Sequence, residues 1–403
     1  MNIIIVGHVD HGKSTLIGRL LFDTRSLPKE KMLELKKISQ QLGQETQLAY
    51  LTDQLKEERE RRVTIDTTQI FFKTRKRDYV IIDAPGHVEY LKNMITGASL
   101  AQAAVLLLDV NEGIKEQTRR HAYIISLLGI DQVIAAFNKM DLVDYSKERY
   151  EGAKGALLSL FKELGLRPAY LVPIAAKTGA NICRRFLRMS WYKGPTLLQA
   201  LDALKAGQKA AKGPLRIPVQ DVYNLDGERV ILGRIASGRL RQGQRVTCLP
   251  GVQQTRVKSI RIFDRVKKQV GEGENIGIIL EEALGIKRGD IIAQALTPPD
   301  TINNFKANIF WMSKEPLRVN QCITLRCATQ EVPCLVSEIA KRIDSSTLEV
   351  IEQKSAQLNL NQAAIVTLKS QRPILLEKFS LIKELGRLIL EREHHLVGAG
   401  IIS

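Results

Sequence analysis

The sequence predicts an α/β domain, with a mostly parallel sheet covered by helices on both faces, followed by two all-β barrel domains. Three observations carry this. Short β-branched runs alternate with stretches of helical spacing through the first half of the chain. After residue 212 the texture changes to short β-branched runs broken by Gly, Pro and an Asn-Leu-Asp-Gly turn. A Pro298-Pro299 pair then splits that second region into two pieces, each the size of a small barrel.

Taken in order, Asn2 to Val6 is an apolar run leading into a glycine-rich turn, and Ser14 to Phe22 has apolar residues at helical spacing. Further strands are predicted near 79–83, 104–109, 132–137 and 170–174, with a helix over Gln117–Leu128 between two of them. A charged, helix-prone segment over roughly 28–62 interrupts the alternation and reads as an insertion. The domain boundaries expected from these shifts are 1–207, 208–297 and 298–403.

The 403 residues are 44% hydrophobic and 26% charged, a composition that folds rather than stays disordered. No apolar run approaches the roughly 20 residues needed to span a bilayer, and the opening apolar stretch is too short for a signal peptide, so no membrane association and a cytoplasmic location are expected. Cys183, Cys248, Cys322, Cys327 and Cys334 are scattered and form no CxxC pair, and are read as buried thiols rather than disulfides or zinc ligands. The formal charge of +17 makes a polyanionic partner a reasonable expectation. The first barrel region, 213–296, carries 14 Lys and Arg against 9 Asp and Glu. A basic cluster also stands at Arg184, Arg185, Arg188 and Lys193. A solvated face explains both as well as an RNA contact does. Trp191 and Trp311 are expected to be packing anchors, and His394 and His395 surface or strand residues.

The chemistry is concentrated at strand ends. Gly7-His8-Val9-Asp10-His11-Gly12-Lys13-Ser14 fits GxxxxGK[ST], the P-loop pattern, between a strand and a helix, with Thr15 following. Its backbone N–H groups and the helix N-terminus suit phosphate oxygens. Lys13 would reach the β- and γ-phosphates and Ser14 would take one position on Mg²⁺. Asp83-Ala-Pro-Gly86 closes the strand YVIID, placing the Asp83 carboxylate near that metal. Asn138-Lys139-Met-Asp141 closes the strand VIAAF, and an Asp there can accept from the N1–H and exocyclic amine of guanine, which adenine cannot offer in that arrangement. Ala175-Ala176-Lys177 would bring a backbone N–H to the guanine carbonyl and a lysine stem against the base. Thr64, in RRVTID, could complete the Mg²⁺ shell when a γ-phosphate is present. His87 is placed to orient the attacking water, making His87, Lys13 and Thr64 the expected catalytic residues.

GHVDHGKST, DAPGH, NKMD and the long charged insertion together resemble the elongation factor Tu/1-alpha family of GTPases, and the resemblance covers essentially the whole chain. It implies a P-loop GTPase domain followed by two barrels, GTP and GDP as ligands, Mg²⁺, and a monovalent cation held near the phosphates by Asp10. Two branches are in question, elongation factor 1-alpha and the GTPase subunit of heterodimeric sulfate adenylyltransferase. Residues 117–130, 138–150, 235–251 and 307–318 look more like the sulfate branch; 217–227 and 385–402 look more like the elongation branch. The weight falls on the sulfate branch. It implies a GTPase that drives adenosine 5′-phosphosulfate formation in a sulfate adenylyltransferase catalytic subunit; the alternative is a translation GTPase binding aminoacyl-tRNA or the ribosome. The chain departs from the family at Arg61 and Arg62, where a glycine usually precedes the switch threonine and where its loss would stiffen the loop. It also has AAK where the family usually has an SA pair.

Overall fold

The computed structural model describes residues 1–27, 69–83, 101–205, 213–225, 227–263, 265–282, 285–296 and 298–402. The charged insertion and Arg61, Arg62, Thr64, Gly86 and His87 lie outside the described residues. The chain divides into two compact units, Met1–Ala206 and Gly207–Ser403.

The first unit is built on a six-stranded sheet of β1 (Asn2–Gly7), β2 (Gln69–Lys73), β3 (Asp78–Asp83), β4 (Ala103–Asp109), β5 (Val133–Asn138) and β6 (Pro168–Pro173), ordered β2-β3-β1-β4-β5-β6. Among the described strands of this sheet, only the edge strand β2 runs antiparallel to its neighbour. Strands β4 and β5 are buried at every position, as their unbroken apolar runs AAVLLLD and VIAAFN require of strands covered on both faces. The described helices are α1 (Lys13–Asp23), α2 (Glu116–Leu127), α3 (Lys147–Glu163) and α4 (Leu197–Ala203). Ser146 caps α3 by accepting from the Arg149 N–H, and Thr196 and Gln199 form a reciprocal capping box on α4. Leu16, Ile17 and Leu20 of α1 and Leu197 and Leu201 of α4 pack with Ile3 and Ile5 of β1 in one core. The four long strands predicted from the sequence are all present within two residues of their expected ends.

The second unit holds two closed barrels. In the first, β7 (Arg216–Leu225), β8 (Glu228–Arg234), β10 (Arg245–Leu249), β11 (Gln253–Ile262), β14 (Asn275–Leu280) and β15 (Ile291–Gln294) follow the order β10-β15-β7-β8-β14-β11, and β10 pairs with β11 to close the ring. Short strands β9 (Arg239–Arg241) and β13 (Gln269–Gly271) pair with each other, and β12 (Arg265–Val266) folds back on β11. The Asn-Leu-Asp-Gly signal is the β7–β8 hairpin: Leu225 opposes Glu228, and Gly227 takes the φ of +78° that such a tight connection needs. Ile217, Val219, Ile231, Leu240, Val246, Ile260 and Ile278 fill the barrel.

The second barrel is assembled from β16 (Thr301–Trp311), β17 (Leu317–Arg318), β18 (Cys322–Cys327), β19 (Gln330–Asp344), β20 (Val350–Ser355), β21 (Gln357–Leu358), β22 (Gln362–Leu375), β23 (Arg387–Arg392) and β24 (His395–Ile402). Its ring runs β18-β23-β24-β16-β22-β19 and closes through β18–β19. Closure removes the open edges that would otherwise template aggregation. Trp311 is fully buried in this core, as expected of a packing anchor. The two barrels meet across Leu249, Ile291, Leu375, Ile382 and Leu385, and across an ion pair in which Arg216 Nη2 donates to Glu377 Oε1 at 2.9 Å.

One expectation fails here. Cys248, Cys327 and Cys334 are buried and Cys183 is half-buried, but Cys322 is exposed: it sits at the first position of β18, on the outward face of the alternating pattern eBiBiB. Among the described residues no helix is long and apolar enough to cross a membrane.

Candidate nucleotide site

Strand β1 sits at the point where the order of the parallel sheet reverses, with β3 on one side and β4 on the other. Crevices outside the carboxyl ends of strands at such a point are where α/β sheets bind ligands. The loops after β1, β4, β5 and β6 all emerge there, and they carry most of the residues singled out from the sequence.

The Gly7–Ser14 loop is held by close approaches that only glycine allows. A Cβ on Gly7 would stand 2.6 Å from the Leu107 carbonyl oxygen of the neighbouring strand. Gly12, the N-cap of α1, has φ +91°, and a Cβ there would stand 2.5 Å from Asn138 Nδ2. Within the loop, Lys13 Nζ donates to the carbonyls of Gly7 at 2.8 Å and His8 at 3.0 Å, so the ammonium lies inside the curve it is expected to serve. Asp10 is exposed and left-handed at φ 63°. Ser14 and Thr15 are half-buried in the first turn of α1.

Asn138 closes the site. Its Nδ2 donates to the His11 carbonyl at 2.8 Å, its Oδ1 accepts from the Ala176 N–H at 2.9 Å, and the side chain is 2% exposed. One carboxamide therefore joins three loops read separately from the sequence. Lys139 follows in a left-handed conformation, φ 62°, and a short 3₁₀ turn carries the half-buried Asp141. Ala175 is buried and its N–H donates to the Ala180 carbonyl, while Lys177 is exposed at the rim. Asp83 ends β3, and its backbone is in register with Ile5.

Sequence reading missed one member. Asp109, 2% exposed at the end of β4, receives Lys139 Nζ at 2.8 Å and the Asn111 N–H at 2.8 Å. Burial opposes its ionisation, but the hydrogen bonds from Lys139 and the loop N–H groups outweigh it and hold the carboxyl below the ordinary range. The available signal was an aspartate ending an otherwise apolar, fully buried strand, since a carboxylate in that position needs a cation to face it.

Histidines line the inner side of the loop. His11 is fully buried, with Nδ1 3.3 Å from both the Leu107 carbonyl and the Asp109 N–H, and burial lowers its pKa. Its ring meets that of the half-buried His8 edge-on at 5.2 Å. His121 of α2 is also buried, and desolvation, reinforced by the charge of Lys13, drives its pKa down to about 3. Both imidazoles are therefore neutral at physiological pH.

A glycine-rich loop wrapped round a lysine, at the switch point of a parallel sheet and stapled to the two loops that follow β5 and β6, defines a P-loop nucleotide-binding domain. A family model described as Elongation factor Tu GTP binding domain matches residues 1–206, one described as Elongation factor Tu domain 2 matches 228–293, and one described as GTP-eEF1A C-terminal domain-like matches 304–403. The Elongation factor 1-alpha of Archaeoglobus fulgidus is 39% identical over 100% of this chain and 97% of its own length. That of Methanocaldococcus jannaschii is 40% identical over 100% and 96%. The chain belongs to the elongation factor Tu/1-alpha family of translational GTPases. Among solved structures, sup35 complexed with GDP is 23% identical, with a TM-score of 0.47 over 100% of this chain and 93% of that one, a likeness too loose to bear on function.

These relatives overturn the sulfate adenylyltransferase expectation, together with the catalytic-subunit partner it implied: the similar proteins share their full length with this chain and are named for elongation. The physical reason the sequence misled is visible in the fold. Most of residues 117–130 form α2, where Thr118, His121, Ala122, Ile124 and Ile125 are buried. Residues 307–318 carry the buried Phe310, Trp311 and Leu317, and 235–251 the buried Ile235, Leu240 and Val246. The buried parts of these stretches report core packing, and 138–150 opens on the NKMD motif common to the whole family, so neither says anything of a partner.

Proposed function

We propose that this chain is an elongation factor 1-alpha-type GTPase of the cytoplasm that binds aminoacyl-tRNA in its GTP form and delivers it to the ribosome. The observation that carries this reading is the identity of 36–40% to proteins named Elongation factor 1-alpha, running through the GTPase domain and both barrels. In this reading residues 1–207, 208–297 and 298–403 are its three domains. The loop Gly7, His8, Val9, Asp10, His11, Gly12 and Lys13 cradles the phosphates, Lys13 reaches the β- and γ-phosphates, and Asp141 accepts from guanine between Asn138, Lys139 and the Ala175-Ala176-Lys177 loop.

Ser14, Thr64 and Asp83 would hold Mg²⁺, which supplies positive charge to the phosphates when bound. The donors suit that ion by their chemistry: two hydroxyls and a carboxylate are hard oxygens, and Mg²⁺ takes one or two protein oxygens beside phosphate oxygens and water. His87, beside Gly86, orients the attacking water, and Asp10 helps hold a monovalent cation.

The test is equilibrium binding of aminoacyl-tRNA to the GTP-loaded and GDP-loaded chain, with deacylated tRNA as control. Tight binding only of aminoacyl-tRNA to the GTP form, weakening steeply with salt, is the expected result. Equal, weak binding of every tRNA to both forms would overturn it.

A further inference from the structure

Helix α1 begins at the phosphate loop, and farther along it Arg19 reaches across to the loop that follows β6. Its Nη2 donates to the Thr178 carbonyl at 3.2 Å. The same guanidinium lies so close over Gly179 that a Cβ there would stand 2.1 Å from Nη2 and 2.6 Å from Nε. Gly179 has φ +78°, a region that Asn or Asp also visits, so it is the guanidinium that leaves room for glycine alone.

Arg19 is itself held. Its Nε lies 3.2 Å from Asp23 Oδ1 and 3.3 Å from Oδ2, one helical turn on, with the two side chains only 22% and 17% exposed. The Cys183 thiol also donates to Asp23, and burial beside that carboxylate pushes the thiol up to about 12. A pair at this spacing on an open helix face contributes little, because water competes for both charges. Here the arginine is turned inward and its fork is spent on a carbonyl of another loop, which a helix-stabilising pair does not require.

What the contact fixes is the turn that carries the base-side residues. The Ala175 carbonyl accepts from the Gly179 N–H at 2.8 Å and the Ala180 N–H at 3.2 Å, and the Ala175 N–H donates to the Ala180 carbonyl at 3.1 Å. Residues 175–180 are thus one closed turn, with Ala176 on Asn138 and with Thr178 and Gly179 under Arg19. Asn138 ties this turn to the phosphate loop at the strand ends; Arg19 ties it to the same loop's helix by an independent route.

We propose that Arg19 is a positioning residue for guanine recognition: its guanidinium, set by Asp23, braces the turn at Thr178 and Gly179 so that Ala175, Ala176 and Lys177 stand against the base. That role depends on those three residues meeting the base, as read above.

The test uses the full-length chain loaded with a fluorescent GDP, followed by dissociation rate, by competition with unlabelled GDP and ADP, and by urea denaturation. Arg19→Ala should release GDP roughly tenfold faster, the worth of one hydrogen bond from a charged group. Adenine has no carbonyl for the braced loop to meet, so the preference for GDP over ADP should fall by the same factor while the urea midpoint barely moves. Arg19→Lys keeps the charge beside Asp23 but not the planar fork, and should behave as Arg19→Ala does. Gly179→Ala is strained by its backbone in any background, but it should speed release several times more in the wild-type background than in the Arg19→Ala background. Wild-type release from Arg19→Ala, or an equal proportional loss of GDP and ADP, overturns the brace. Asp141→Asn separates two failures. If it removes the preference for GDP while Arg19→Ala leaves that preference intact, the base site stands and the brace falls; if neither changes the preference, both fall.

Discussion

Asn138 holds the His11 carbonyl at 2.8 Å, so the base-side loop and the phosphate-side loop are tied together through protein. The same side chain accepts from Ala176 N–H at 2.9 Å, so three loops are joined through one carboxamide. Asn138→Ala should strip a buried carbonyl and a buried N–H of their partners, at about 1–3 kcal/mol each. The expected readouts are a lowered urea midpoint and at least a tenfold loss of fluorescent GDP affinity. Nucleotide affinity within twofold of wild type would show that the staple is dispensable.

Gly12 tests the same junction from the other side. Gly12→Ala places a Cβ 2.5 Å from Asn138 Nδ2 in a backbone already at φ +91°. Gly113 is a matched control, since its φ is +72° but a Cβ there meets nothing within 4 Å. Gly113→Ala should cost about 1–2 kcal/mol from backbone alone, with nucleotide binding intact. Gly12→Ala should cost more and lose binding; equal effects on binding would refute the clash.

The pH dependence of folding should carry the marks of His121 and Asp109. His121 has its folded pKa pushed down to about 3 from 6.5, so the unfolded chain takes up a proton first as pH falls. Its contribution is fully present above pH 6.5 and is lost as pH falls towards 3. Asp109 is held below its ordinary value of 3.8, and its contribution disappears only as pH drops through that lower range. Stability measured by chemical denaturation should fall between pH 6.5 and 4, and His121→Gln should make that limb shallower, with buried His11 supplying what remains, without altering the more acidic one. Asp109→Asn should do the reverse.

Between the barrels, the Arg216 and Glu377 side chains are 5% and 16% exposed. Arg216→Ala leaves a carboxylate buried at the seam and should cost about 3–5 kcal/mol. The paired apolar replacement R216M/E377L should recover most of that loss, because neither charge remains to be solvated. If the double variant is as unstable as the single one, the seam depends on the pair itself.

Strand positions, the change to all-β structure near residue 213 and the phosphate-binding loop were legible because each rests on local chemistry: apolar periodicity, turn residues, and a motif whose spacing fits one backbone path. What the sequence by itself determined was a P-loop domain with two barrels and the residue types able to meet a guanine nucleotide. The tertiary structure alone decided that Asn138 joins His11 to Ala176, that Asp109 faces Lys139, and that the barrels are locked by Arg216 and Glu377. Those partners are 127, 38, 30 and 161 residues apart in the chain, and no local periodicity records a contact made by folding. The branch of the family was misjudged for a related reason: much of what suggested sulfate activation is core packing or the shared NKMD motif, and a core is chosen to fit its own fold rather than any partner.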